Sequence, residues 1–172
     1  VIGPGLMGAP IGAEYALGGH AVTFVARDPN RARQRLADTF ALVAEHQLAS
    51  QTDIEPARSR IRFVDDVADL DPETDLVVES IVERLDEKVD VLRRAAARLP
   101  ASILASNTSS LSITELGEGA GAPERTIGTH YWNPPLLMPL VEVIATDRVR
   151  PEIMPRIIET LRSLGKRPVL AG

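Results

Sequence analysis

The 172-residue sequence contains no cysteine, few aromatic residues and no long apolar run. The lack of cysteine excludes disulfide bonds, thiolate zinc sites and a cysteine nucleophile. No apolar stretch approaches the roughly 20 residues that a membrane-spanning helix needs, and no segment has the pattern of a secretory signal. We therefore predict a cytoplasmic protein with no membrane segment and no metal site.

Basic residues are also too few to form a nucleic-acid-binding surface. The chain has 19 basic and 24 acidic side chains and a formal net charge of −5, whereas proteins that bind phosphate backbones need a basic face. Its content of 44% hydrophobic and 25% charged residues is typical of a globular protein. The length suits one domain, and we predict a small molecule as its partner.

Short apolar runs alternate with segments of helical periodicity along the whole chain. The predicted strands are residues 1–2, 21–26, 60–64, 75–79, 103–106, 126–130, 140–144 and 169–170. The predicted helices include residues 5–17, a long helix from 28 to about 50, residues 112–116, and a helix between 151 and 165. This alternation predicts an α/β fold of the Rossmann type, with a mostly parallel, doubly wound sheet and helices on both faces.

A glycine-rich loop lies between the first strand and the first helix. In the pattern G-x-G-x-x-G, Gly3 makes a tight turn, Gly5 lets a pyrophosphate approach, and Gly8 lets the helix pack closely on the sheet. Leu6 and Met7 complete the loop at the helix N-terminus, where free N–H groups and the helix dipole favour an anion. The loop predicts dinucleotide binding, and the alternative is a glycine-rich turn of another α/β protein.

The end of the second predicted strand decides which dinucleotide is bound. An acidic residue usually stands there to hold the adenine ribose, but this strand ends in Ala26. Asp28 has the expected spacing from the loop, although Pro29 after it favours a helix cap. Arg27 is suited to a 2′-phosphate, so the residues leave both NAD and NADP open.

Polar side chains follow two of the central strands. Glu83 and Lys88 follow the fourth predicted strand, and Asn107 and Ser109 follow the fifth. Ligands of open α/β sheets bind at these carboxyl ends, so we expect the four residues near the cofactor and substrate. The alternative for the second segment is a capping box that opens the short helix before Glu115.

A histidine and a glutamate lie on the next two predicted strands. His130 stands at a strand end, and Glu142 lies between aliphatic residues, which predicts a half-buried carboxylate that needs a partner. If paired, Glu142 holds the imidazole in one tautomer and makes His130 a general base. A lone histidine is more often structural, which remains the alternative.

Taken together, these segments resemble the NAD-binding domain of the L-3-hydroxyacyl-CoA dehydrogenases. The Ser-Asn-Thr-Ser-Ser and His-x-x-Asn-Pro elements are more specific than the glycine loop. The resemblance spans residues 1–172, with the best matches at residues 3–8, 76–83 with Lys88, 105–111, 130–144 and 164–169.

The resemblance implies a role for each matching residue. His130 corresponds to the family's catalytic histidine and Glu142 to its partner glutamate. Ser109 corresponds to the serine that hydrogen-bonds the substrate's 3-oxygen, and Asn133 to the asparagine that shapes the site. The implied reaction is the reversible oxidation of a 3-hydroxyacyl-CoA to a 3-oxoacyl-CoA, a step of fatty acid metabolism.

The resemblance also covers the cofactor site and the rest of the protein. Glu83 and Lys88 match residues that contact the cofactor near the nicotinamide ribose, whereas Ala26 replaces the family's usual aspartate. The family has a helical C-terminal domain that completes the substrate site and forms a homodimer. We therefore expect residues 1–172 to be a Rossmann domain truncated in its first strand and lacking that second domain.

Three alternatives to the acyl-CoA substrate remain at this point. Relatives with the same histidine motif act on carnitine or sugar acids, which keeps free acids open. The loop at residues 5–10 also resembles that of the β-hydroxyacid dehydrogenases, but these use a lysine rather than a strand-end histidine. A non-catalytic binding module is disfavoured because Ser109, His130, Asn133 and Glu142 are all present.

Overall fold

The computed structural model describes residues 1–171, which form seven strands and six α-helices. The strands are β1 Val22–Val25, β2 Ile61–Val64, β3 Leu76–Glu79, β4 Ile103–Ser106, β5 Thr126–Tyr131, β6 Leu140–Ile144 and β7 Arg167–Ala171. The helices are α1 Gly8–Leu17, α2 Pro29–Glu45, α3 Gln51–Ser59, α4 Leu85–Arg98, α5 Ile113–Ala120 and α6 Ile153–Ser163. Among them, no helix combines the length and the apolarity required to cross a membrane.

The strands form a mostly parallel sheet. Strand β2 pairs with β1, and the order on the other side is β3-β4-β5-β6-β7. Ile2 connects the two parts because it bridges both Val25 and Glu79 in parallel. Strand β6 runs antiparallel to β5, and β7 runs parallel to β6. The reversal of strand order at Ile2 is the place where open α/β sheets bind ligands.

Each face of the sheet has its own apolar core, which confirms the doubly wound fold. Alternate residues of one strand face opposite sides, so Val78 joins the core with Phe24 and Phe40, whereas Val77 joins the core with Leu92. The first core lies under α1, α2, α3 and α6, and the second under α4 and α5.

Helix α1 lies unusually close to the strands beneath it. A Cβ atom added at Gly8 would lie 2.1 Å from the carbonyl oxygen of Gly3, and one at Gly12 would lie 2.2 Å from the Phe24 ring. Only glycine permits this approach. The close packing holds the N-terminus of α1 at the edge where β1 and β3 end.

The helix predicted from residue 28 to about 50 ends earlier, at Glu45, and a further helix that was not predicted from the sequence, α3, follows it. Gln47 adopts a left-handed conformation with φ 53° and ends the first helix. Helix α3 begins at Gln51 and is capped by Ser50, whose N–H donates to the Asp53 carboxylate at 3.3 Å. Asp28 caps α2, because its carboxylate accepts the N–H of Arg31 at 3.0 Å. The cap interpretation of Asp28 is therefore confirmed.

Candidate active site

A cleft of about 1110 Å³ lies at the carboxyl ends of β1, β3 and β4. It is lined by the glycine loop and by the residues that follow these three strands. Eight of the predicted site residues share its wall: Gly3, Gly5, Leu6, Met7, Arg27, Glu83, Asn107 and Ser109. The topology therefore brings segments more than 100 residues apart in sequence to one edge, as expected for a dinucleotide site.

The glycine loop has the shape that a diphosphate requires. Gly3 has φ +87°, a backbone conformation that residues with a side chain rarely adopt. Because Gly5 has no side chain, the backbone there is open toward the cleft. The first backbone hydrogen bond of α1 runs from Ala9 to the carbonyl of Gly5 at 3.2 Å. The preceding N–H groups of Leu6 and Met7 are thus available to an anion at the helix N-terminus.

The far end of the cleft carries three arginines, and no acidic residue stands at the end of β1, although Asp65 and Asp66 after β2 also line the cleft. Ala26 is buried at that position, and Asp28 is engaged in capping α2. Arg27 is exposed and lines the cleft together with Arg31 and Arg35. Such guanidinium groups suit a phosphate better than a neutral ribose diol.

Glu83 holds the loop that follows β4 in place through hydrogen bonds. Its Oε1 accepts hydrogen bonds from Thr108 Oγ1 at 2.5 Å, Ser109 N at 2.9 Å and Ser110 N at 3.1 Å. Partial burial alone would raise the pKa of Glu83, but these donors and the charge of Lys88 lower it to about 2. The carboxylate therefore stays charged and holds the loop at the cleft wall.

Lys88 lies beneath the cleft rather than on its surface. Its side chain is 1% exposed, and its ammonium donates to Glu79 Oε1 at 2.7 Å and to the carbonyl of Ile81 at 3.3 Å. The other Glu79 oxygen accepts the hydroxyl of Ser106 at 2.6 Å. Lys88 is thus paired within an internal network, as a buried amine must be, and it is not among the residues that line the cleft; its contact with the cofactor stays a prediction.

Asn107 connects the cleft to the strand that carries the histidine. Its side-chain nitrogen donates to Ser80 Oγ at 3.1 Å, and its oxygen accepts the N–H of Tyr131 at 2.9 Å. Tyr131 directly follows His130 in β5. The amide therefore holds the ends of β3, β4 and β5 in one arrangement.

His130 and Glu142 form the pair that their positions predict. They face each other in the antiparallel ladder of β5 and β6, and Nδ1 of His130 lies 2.6 Å from Oε2 of Glu142. Both side chains are partly exposed, at 21% and 32%. With a proton on Nδ1 shared with the carboxylate, Nε2 keeps its lone pair, so His130 is equipped to act as a base.

Ser109, Asn133 and Gly8 lie in three different environments. Ser109 is exposed, and its hydroxyl is 3.3 Å from Glu83. Asn133 is exposed in the connection from β5 to β6 and is not among the residues that line the cleft. Gly8 lies behind the loop, against Gly3.

Sequence reasoning missed the buried supports of the site, which are Glu79, Ser106 and Thr108. The sequence carries a signal for these residues, because all three are polar and lie at or just beyond the end of a buried apolar strand. Such residues need buried partners, and the neighbouring strand end is the nearest place to find them.

The depressed pKa of Glu83 predicts an acid-sensitive site loop. Because folding lowers this pKa from 4.5 to about 2, the stabilisation is complete above pH 4.5 and is lost as the pH falls toward 2. We expect Glu83→Gln to cost roughly 1 kcal/mol at pH 7, since the side chain is partly exposed to solvent. Urea denaturation at pH 7 and at pH 3 measures the cost.

The matched control is Glu118→Gln, at an exposed position of α5. We expect the control to match the wild type at both pH values. A Glu83→Gln variant with the same deficit at pH 3 as at pH 7 would contradict the role of the charge.

Comparison with known proteins agrees with this geometry. Residues 1–172 match the family described as 3-hydroxyacyl-CoA dehydrogenase, NAD binding domain. The chain is 36% identical to 5-formyl-3-hydroxy-2-methylpyridine 4-carboxylate 5-dehydrogenase of Mesorhizobium japonicum, over 99% of this chain and 55% of that protein. It is 35% identical to the mitochondrial hydroxyacyl-coenzyme A dehydrogenase of Sus scrofa, over 98% of this chain and 57% of that protein.

A solved structure shows the same fold. The 3-hydroxybutyryl-CoA dehydrogenase of Escherichia coli K12 superposes with a TM-score of 0.91 at 32% identity, covering 99% of this chain and 37% of the other. The chain spans little more than half the length of the two curated relatives. The match over its whole length, on a fold with the glycine cradle in place, shows that the chain belongs to the NAD-binding domain family of the 3-hydroxyacyl-CoA dehydrogenases.

Proposed function

We propose that the protein is an NAD(P)-dependent oxidoreductase that interconverts an L-3-hydroxyacyl-CoA and the corresponding 3-oxoacyl-CoA. The observation that carries the proposal is the 2.6 Å contact between His130 Nδ1 and Glu142 Oε2, near the cofactor cleft. A strand-end imidazole held by a carboxylate is suited to accepting a proton from an alcohol. The family membership supports the same reaction.

Each polar group of the site has a part in this reaction. The bound nicotinamide supplies the acceptor for the hydride that leaves C3 of the substrate. Nε2 of His130 takes the proton of the 3-hydroxyl group, and the Glu142 carboxylate stabilises the imidazolium that forms. The reverse reaction returns this proton to the 3-oxygen.

Two residues orient the substrate. The Ser109 hydroxyl hydrogen-bonds the 3-oxygen, and Glu83 holds the Ser109 backbone through its 2.9 Å hydrogen bond. Asn133, three residues after His130, shapes the substrate side of the site. Fixing these groups in advance contributes to the rate because no reorganisation is needed during the reaction.

The cofactor is held by the residues of the cleft. The glycine loop at residues 3–8 binds the diphosphate, and Glu83 and Asn107 face the nicotinamide half, with Lys88 supporting Glu83 from below at 3.4 Å. At the adenine end, Arg27 replaces recognition of the ribose hydroxyls with recognition of a 2′-phosphate. We infer that the protein accepts NADP(H) as well as NAD(H).

A second candidate is a dehydrogenase of a free 3-hydroxy acid, such as a carnitine-like compound or a sugar acid. The observation that favours it is the Mesorhizobium relative, whose name specifies a pyridine carboxylate and no thioester. A histidine base serves either substrate class, since both reactions remove a proton from a hydroxyl group.

The predictions of a homodimer, a cytoplasmic location and a place in fatty acid metabolism stay predictions. The homodimer and the place in fatty acid metabolism follow from the resemblance to relatives that are longer than this chain, whereas the cytoplasmic location follows from the lack of a secretory signal pattern in the sequence. The resemblance implies that the dimer forms through a helical domain that follows the NAD-binding domain.

The test of the reaction compares a thioester with a free acid. We expect the full-length gene product to oxidise NADH or NADPH rapidly with acetoacetyl-CoA and slowly with acetoacetate. Absorbance at the reduced nicotinamide band measures both rates. Oxidation with the free acid alone would contradict the acyl-CoA substrate and support the second candidate.

The role of His130 predicts a loss of turnover on replacement. We expect His130→Ala to lower kcat by about 10²- to 10⁴-fold, the usual effect of removing a general base, with the Kd for NADH unchanged. The matched control is His46→Ala, at the exposed C-terminus of α2. Near-normal turnover of the His130 variant would exclude it as the base.

The role of Arg27 predicts a cofactor-selective effect. We expect Arg27→Ala to weaken NADPH binding by about tenfold or more, the value of a lost charge-assisted hydrogen bond, and NADH binding much less. Fluorescence titration with each cofactor measures this, with exposed Arg148→Ala as control. Equal effects on both cofactors would remove the 2′-phosphate contact from the proposal.

A further inference from the structure

A second buried lysine, Lys166, is not among the residues that line the cleft. Its side chain is 3% exposed, and it precedes β7. Its ammonium donates to the carbonyl oxygens of Pro135 at 2.5 Å and Met138 at 3.0 Å, and it forms an ion pair with Glu14. The ring of Tyr131 lies 5.9 Å away. One amine thus joins three separate parts of the chain.

Two of its partners belong to the substrate loop, defined as residues 132–139 between β5 and β6. This loop begins directly after the strand of His130 and carries Asn133. The third partner, Glu14, lies on α1, the helix whose N-terminus faces the cofactor cleft. The Lys166 ammonium therefore connects the substrate side of the site to the cofactor-binding helix.

Few other hydrogen bonds tie the substrate loop to the rest of the fold. Within the loop, Leu137 and Met138 donate their N–H groups to Pro134. Among residues 1–171, the hydrogen bonds that tie the loop to other segments come from the Lys166 ammonium and from Arg167 N, which donates to Pro139 at 2.7 Å. Leu136 of the loop also packs against the first apolar core. Within the described part of the chain, Lys166 is the residue whose side chain hydrogen-bonds the loop from outside it.

The environment of Glu14 shows that this ion pair is costly to bury. One of its carboxylate oxygens has no hydrogen-bond partner within the described residues. Burial raises the pKa of Glu14 to about 7, against the lowering effect of Lys166. Replacing a buried ion pair by apolar residues of similar volume is often neutral or stabilising, so the pair with Glu14 is weak evidence that Lys166 serves stability alone.

We propose that Lys166 is a positioning residue, whose ammonium holds the substrate loop, and with it Asn133, in place against α1 for the acyl substrate. This inference rests on the proposed function only for the identity of the substrate. The contacts to Pro135, Met138 and Glu14 carry the positioning itself.

The first test measures the solvent exposure of the substrate loop directly and does not depend on enzyme activity. Trp132 is the single tryptophan of the chain and lies in the substrate loop, 43% exposed. We expect Lys166→Met to raise acrylamide quenching of Trp132 about twofold, because the released loop opens to solvent. The control is Val43→Ala, a buried position of α2, which destabilises the core without releasing the loop. It should leave quenching unchanged.

The second test separates positioning from general instability. In the full-length gene product, we expect Lys166→Met to raise KM for the acyl substrate about tenfold, since small displacements of orienting groups are costly. The Kd for NADH should stay within about twofold, because the glycine loop is untouched. Lys166→Arg, which keeps hydrogen-bond donors at this position, should have a KM between that of Lys166→Met and that of the wild type.

Unchanged Trp132 quenching in a folded Lys166→Met variant would overturn the proposal. If Lys166→Met fails to fold, the Glu14→Gln variant tests the proposal instead. This substitution keeps the shape of the side chain and removes its charge. We expect it to raise acrylamide quenching of Trp132, as Lys166→Met does. A wild type that lacks thioester turnover, with altered quenching in the variants, would refute the proposed substrate and uphold the positioning role.

Discussion

The antiparallel pairing of β6 with β5 is the constraint on which the candidate active site depends. It sets Glu142 opposite His130, with Val141 and Val143 of the same strand turned into the core. Because side chains alternate across a strand, a slip of one residue would bury Glu142 and expose these valines. The apolar cost of such a slip therefore keeps the carboxylate beside the imidazole.

Charged side chains fasten the loops that surround this pair, and their environments differ in an informative way. Glu83 faces hydrogen-bond donors from the loop after β4, which lower its pKa to about 2. Glu14 is buried with one amine as its partner, so burial raises its pKa to about 7. The carboxylate of Glu83 thus remains charged, whereas that of Glu14 is easily protonated. The loop after β4 is held by an anion, and the loop after β5 by the Lys166 cation.

Much of this could be predicted from residue patterns, for local reasons. Apolar runs of four to six residues identify the strands, since strands covered on both faces must be apolar throughout. The glycine loop is recognisable because a tight turn and close helix packing require residues without side chains. The helix break at Gln47 could not be predicted this way, because a left-handed glutamine carries no strong signal. The resemblance to a family added the roles of individual residues.

Residue patterns alone predict the fold class, the place of the dinucleotide cleft and the residue types at the strand ends. Which of these residues meet follows from the folded arrangement. It placed Lys88 in an internal network with Glu79 and assigned Glu83 to the loop of Ser109. It also joined Glu14 to Lys166 across 152 positions of the chain. Periodicity reports which residues are buried, but a buried charge takes the partner that packing brings within reach, and that partner is distant in sequence.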